Sequence, residues 1–133
     1  MSDIMTPPTW IDTRDIVVGD TIRYEESVFS GPWRSAKYVG KRAIKAQVVA
    51  DSYGSAKQQH TFTLKILECS GVNTINTGDS TRRKGRNIYK YDPVRLLWED
   101  EDARQKVADD KHKRGDAARS DRERRREEER MYV

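Results

Sequence analysis

Between Tyr38 and Ser70, apolar and polar residues alternate along two runs, and the pattern predicts two long antiparallel strands folded back on each other. Ile44, Ala46, Val48 and Ala50 fall on one side of the first run, with Ala43, Lys45, Gln47 and Val49 on the other. In the second, Phe62, Leu64 and Ile66 share a face and alternate with Thr61, Thr63 and Lys65. Successive side chains of a strand point to opposite faces, so a period of two buries one face and wets the other. The polar stretch Asp51-Ser52-Tyr53-Gly54-Ser55-Ala56-Lys57 joins the runs as a hairpin connection longer than the tightest turns.

The flanking pattern fills in the rest. Pro7-Pro8 disfavours helix and strand interior, so residues 1–14 read as an extended lead-in, with Trp10 and Ile11 anchoring it over an opening in the core. Gly19-Asp20 makes a turn, after which Ile22, Tyr24 and Val28 continue on one face of a strand. Phe29 to Trp33 is a turn by composition, and Trp33 is expected to cover an end of the core. Val72 to Thr81 reads as a long mobile loop, followed by a basic run and a short strand, Ile88 to Tyr91. Asp92-Pro93 predicts a helix start, with Val94, Leu97 and Trp98 on the face that packs. Beyond Ala103 and Val107 the apolar stripe stops, and opposite charges recur four apart, as in Asp102/Lys106 and Asp110/Arg114. From Asp116 onward the chain is either a solvated charged helix or disordered, and the missing apolar heptads argue against a coiled coil.

The apolar pair Ile16-Val17, then Gly19-Asp20, then the alternating strand to Tyr24 resemble the entry into the first strand of SH3-like and KOW-type small β-barrels. The resemblance implies a mainly β fold, a small antiparallel SH3-like β-barrel or bent sheet over residues 15–92, and the residue pattern adds a charged C-terminal helix over 93–133. Trp10, Trp33 or Trp98 would close one end. It brings no functional residues with it.

Composition narrows the function. The chain has 133 residues, a net charge of +4, and as many charged residues (36%) as apolar ones (35%), with the charge concentrated after Trp98. One globular domain with a charged arm follows. A single Cys69 excludes an intramolecular disulfide and a multi-cysteine zinc site, and its place in the strand pattern predicts a buried, inert thiol. No apolar run is long enough to span a bilayer, and Met1 to Met5 lack the features of a signal peptide, so a cytoplasmic protein is expected. His60 and His112 have no metal-ligand spacing, and neither a nucleophile elbow nor a phosphate-cradling glycine loop is present. No enzymatic activity, cofactor or metal is expected.

The strongest local signal is electrostatic. Arg82, Arg83, Lys84 and Arg86 are clustered, Lys90 follows, and Lys45 and Lys65 lie on outward strand faces. Clustered cations neutralise phosphates and release counterions, and Tyr89 and Tyr53 are candidate faces for unstacked bases. The pattern points to a non-enzymatic module for RNA or single-stranded DNA. A basic loop can equally keep a barrel soluble and guard an edge strand. The alternative is a protein-interaction adaptor that grips a larger complex through the barrel edge and charged helix. Its small size and charged arm resemble phage-encoded effectors that bind a host machine. A third option is an oligomeric ligand binder with its site between barrels.

Overall fold

The computed structural model describes residues 9–53 and 60–131. Pro7-Pro8 and the Gly54–Lys57 part of the hairpin connection lie outside the described residues. The elements are β1 (Trp10–Asp12), β2 (Thr21–Ser30), β3 (Lys37–Tyr53), β4 (His60–Gly71), β5 (Ser80–Lys84), α1 (Gly85–Tyr89), β6 (Val94–Leu96) and α2 (Glu101–Met131). The strands form one antiparallel sheet in the order β1-β6-β2-β3-β4-β5. The fold is mainly β with a C-terminal helix, and the sheet is open, with β1 and β5 at its edges.

The predicted central hairpin is β3–β4. Ile44, Ala46, Val48, Phe62, Leu64 and Ile66 form its buried face and are joined by Ile22 and Tyr24 of β2, with Ile16 and Ile88. Burying each such Ile, Leu or Phe contributes about 1.5–3 kcal/mol. Ala50, expected on that face, is exposed. The reason is a bulge: Val48 pairs with Leu64 but Ala50 pairs with Thr63, so Val49 is an extra residue. An extra residue inverts the alternation that follows. Asp51 and Tyr53, opposite Phe62 and His60, thereby turn to the core side.

Three further expectations are corrected. Ile88–Tyr91 is not a strand. One helical turn, α1, places Ile88 in the core instead, and Gly85 allows it because a Cβ there would come within 3.2 Å of Phe62. Pro93 does not start a helix. Asp92 is left-handed (φ 52°), and Val94–Leu96 pair with both β1 and β2. The helix starts at Glu101, capped by Asp100, whose Oδ1 accepts from the amides of Asp102 and Ala103 at 3.0 and 3.2 Å. Trp33 covers nothing and is 84% exposed. The 72–79 loop is fastened at several points, among them Gly78 N to Ile66 O at 2.8 Å and Ile75 N to Cys69 Sγ at 3.4 Å.

Helix α2 does not project freely along its whole length. Its buried residues are Arg104, Ala108, Lys111 and Gly115, spaced four, three and four apart on one helical face. The stripe docks through charge rather than hydrocarbon. Arg104 reaches Asp20, Lys111 reaches Asp15, and Arg114 reaches Asp51. Gly115 brings the backbone against the Tyr53 ring, where a Cβ would lie 3.2 Å from the hydroxyl.

Candidate nucleic-acid interface

Strand register sorts the basic residues onto two sides of the sheet. On the solvent side, Arg23 lies opposite Lys45, Lys45 opposite Glu68, and Gln47 opposite Lys65. Next to Lys65, β5 sets Arg82 opposite Thr63 and Lys84 opposite Thr61. Lys65 is diagonal to both Lys45 and Arg82, and diagonal cross-strand neighbours lie about 7–8 Å apart, so the cations run as one oblique band across β2 to β5 with Glu68 beside Lys45. Trp10 of β1 extends it: the Arg23 guanidinium is 4.5 Å and the Lys45 ammonium 5.9 Å from its ring centroid. Arg23, Lys45, Glu68 and Ser70 also line a cleft of ≈ 400 Å³.

This band costs the free protein something. Like charges directly opposite on adjacent strands repel, and Arg23 with Lys45 is such a pair. The Trp10 ring offsets part of that through its negative face, and so does Glu68, the residue opposite Lys45 on its other side. Among the described residues, ion pairs in this region involve Lys41, Arg42 and Arg83, but none of Arg23, Lys45, Lys65, Arg82 or Lys84.

Arg83 has the opposite fate. It pairs with Phe62, so it faces the core side, and its Nε and Nη2 donate to the Glu26 carboxylate at 3.1 and 3.2 Å. Arg42 donates to the same carboxylate at 3.1 and 2.5 Å, and the Tyr24 hydroxyl adds a bond of 3.2 Å. Burial pushes the Glu26 carboxyl up, but the bonds and charges of Arg83 and Arg42 outweigh it and hold it below its usual value. Burial, aided by the Glu26 charge, pushes the Tyr24 phenol up. The guanidinium of Arg83 is thus committed inside the protein.

The remaining predicted site residues are also dispersed. Arg86 is exposed on α1, and Lys90 follows that helix, 5.0 Å from the Tyr91 ring centroid. Lys90 lines a separate cleft with Glu26, Arg42, Arg83 and Asn87. The Tyr89 hydroxyl accepts from Ile16 N at 2.9 Å while its ring meets Phe62 edge-on, and burial pushes its pKa up to about 12. Tyr53 stacks on His60 at 4.4 Å and donates to the Lys111 carbonyl at 3.1 Å. Both tyrosines are occupied by protein contacts. Sequence reasoning missed Arg23 and Trp10. Arg23 was open to the same alternation argument as Lys45, whereas the three-residue β1 is too short to show a period.

Fold and face together define a mainly β domain with a cationic band on its solvent side and a helix tied on by ion pairs. The chain belongs to the family described as "Domain of unknown function (DUF7699)", whose model matches residues 17–98. Both ends of that span bond to one carboxylate, since Val17 N and Trp98 Nε1 donate to Asp20 at 3.0 and 2.8 Å. The chain is also similar to Zinc finger CCCH domain-containing protein 62 of Oryza sativa subsp. japonica, 37% identical over 114 residues. That stretch covers 82% of this chain and 16% of the rice protein, so the chain spans about a sixth of the curated relative's length. With one cysteine, this chain cannot itself supply the three that a CCCH finger is named for. No solved structure matches the chain. No helix among the described residues is long and apolar enough to cross a membrane.

Proposed function

We propose that this chain is a non-enzymatic nucleic-acid-binding module that holds RNA or single-stranded DNA against the solvent face of its sheet. The observation that carries the reading is the band of Arg23, Lys45, Lys65, Arg82 and Lys84, drawn from four strands and free of ion pairs among the described residues. Such cations meet phosphates and set the salt dependence of binding. Arg83 belongs to the scaffold in this reading, and Trp10 takes the aromatic role first given to Tyr53 and Tyr89. A cytoplasmic setting, in which Cys69 stays a thiol, is part of the same proposal.

The test is fluorescence anisotropy of a labelled single-stranded oligonucleotide across a salt series. K65E/R82E is expected to weaken binding and to flatten the log–log salt slope by about 2, roughly one per lost phosphate contact. Wild-type protein with no salt-sensitive affinity for any RNA or DNA would overturn the proposal. The adaptor reading is favoured by one feature, the long exposed stretch of α2 after Gly115. A partner retained from nuclease-treated lysate, and lost when α2 is cut after Gly115, would support it.

A further inference from the structure

The β2–β3 hairpin ends in an aromatic group that the core does not use. Phe29 is 58%, Trp33 84% and Tyr38 55% exposed. Phe29 and Tyr38 are directly opposite, with ring centroids 5.9 Å apart in an edge-to-face arrangement. Beyond them Ser35 N donates to Pro32 O at 2.9 Å, closing a turn with Trp33 and Arg34 at its corners. Pro32 fixes its own φ, and Gly31 supplies the positive φ (99°) that brings the chain into the turn. The Arg34 guanidinium lies 5.2 Å from the Trp33 ring centroid. Trp33 is therefore held out on a short, hydrogen-bonded turn.

Exposed apolar clusters rimmed by polar groups mark interaction sites. Charge identifies what this one suits. From Ser27 to Ala50 the sequence contains Arg34, Lys37, Lys41, Arg42 and Lys45 and no aspartate or glutamate; Lys41 and Arg42 pair with Glu25 and Glu26 of β2, and among the described residues Arg34, Lys37 and Lys45 make no ion pair. The occupant must offer flat apolar faces and negative charge along one strand. Unpaired nucleotides have both, since bases stack on aromatic rings while their phosphates lie against nearby cations. A duplex keeps its base faces stacked on one another and offers only the charge.

We propose that the hairpin tip, with Trp33, Tyr38 and Arg34, is a base-stacking site for unpaired nucleotides. The proposal rests on the nucleic-acid reading and narrows its ligand to single strands, loops or bulges. Tyr38 and Phe29 lie on the same face of β2–β3 as Arg23 and Lys45, with Lys41, paired to Glu25 at 3.5 Å, between them, so one strand can run along that face from the tip to the band.

The experiment compares full-length wild type, W33A and K65E/R82E, each titrated onto labelled oligouridylate and onto a duplex RNA of equal phosphate number. Trp33 packs against no core residue, and W33A should melt at the wild-type temperature. W33A is expected to lose about tenfold in affinity for oligouridylate, with the salt slope and the duplex affinity unchanged. Wild-type affinity for oligouridylate in W33A, or an equal loss on the duplex, would overturn the stacking site. So would a W33A loss confined to phosphatidylserine vesicles or to an oligoglutamate peptide. If K65E/R82E weakens binding but W33A does not, the tip proposal falls and the broader reading stands. If wild type binds neither RNA, both fall.

Discussion

Arg104 and Asp20, 84 residues apart, meet in a bidentate pair, Nε to Oδ1 and Nη2 to Oδ2, both at 2.9 Å. Asp20 is fully buried, and its two oxygens also receive Trp98 Nε1 and Val17 N. One carboxylate thus joins the turn before β2, the segment after β6 and the first turns of α2. Arg104→Ala would leave that carboxylate buried without its counter-charge, a loss of about 3–5 kcal/mol. Arg104→Lys cannot make the two-pronged contact and should recover only part of it. Urea denaturation of the three proteins measures both. A change within about 0.5 kcal/mol, as for an ordinary surface substitution, would show that the pair does not hold the helix.

Adjacent arginines on β5 should separate cleanly. Arg82 points to solvent and Arg83 to Glu26. Arg83→Ala removes two bonds from a half-buried charge network while Arg42 stays, and should cost about 1–3 kcal/mol. Arg82→Ala should change stability by no more than about 0.5 kcal/mol. In oligonucleotide binding the order reverses: Arg82→Ala reduces the salt slope by about 1, and Arg83→Ala leaves it unchanged. Thermal melts and anisotropy on the same two variants would establish the assignment.

Gly115 and Tyr53 form a second test of how α2 lies. Alanine in place of glycine within a helix gains about 1 kcal/mol, but here the added carbon would sit 3.2 Å from the Tyr53 hydroxyl. That hydroxyl is also fixed by its bond to the Lys111 carbonyl. Gly115→Ala should therefore yield little or no stabilisation in the wild-type background. In a Tyr53→Phe background the hydroxyl is gone, and the same substitution should stabilise by about 0.5–1 kcal/mol. A double-mutant cycle by denaturant melts gives the coupling, and strict additivity would place the helix elsewhere.

How far the sequence carries can be read from these residues. The period-two runs on β2, β3 and β4 name most of the core, because a half-buried strand writes its two faces directly into the order of residues. The bulge at Val49 does not show in that order, and it moves Asp51 and Tyr53 to the helix side. The docking stripe of α2 was illegible for another reason. Arg104, Lys111 and Gly115 carry no apolar periodicity, and their partners Asp20, Asp15 and Tyr53 lie far away in the chain. The basic run read as one cluster because it is continuous in sequence. Alternation on β5 divides it, sending Arg82 and Lys84 outward and Arg83 inward, and that division needed the strand to be recognised first. The segment after it failed for lack of length: α1 is a single turn, too short to show helical period against the β-prone Ile88-Tyr89.

The ion pairs that dock α2 also fix how stability should respond to acid. Burial pushes Asp15 up, but hydrogen bonds and charge from Lys111 and His112 outweigh it, so its pKa lies below the ordinary 3.8. Burial likewise raises Asp51, and Arg114 with His60 overcome it in the same direction. His60 is lowered from 6.5, mainly by burial, with Lys111 and Arg114 adding to the effect against the pull of Asp51. In all three cases the folded pKa lies below the unfolded one, so the unfolded chain takes up protons first as pH falls. The stabilisation is complete above the unfolded values and is lost on acidification, from about pH 6.5 downward for His60 and below about pH 4 for the two carboxyls. Denaturant midpoints should therefore decline in two steps as pH drops. His60→Phe, which keeps a ring between Tyr53 and Phe62, should remove the first step and retain the second. Arg114→Ala should shrink the second, since Asp51 loses the partner that holds its pKa down. A midpoint that stays flat from neutral pH to about pH 4.5, in wild type and His60→Phe alike, would show that the imidazole does not feel the buried setting at the junction of β3, β4 and α2.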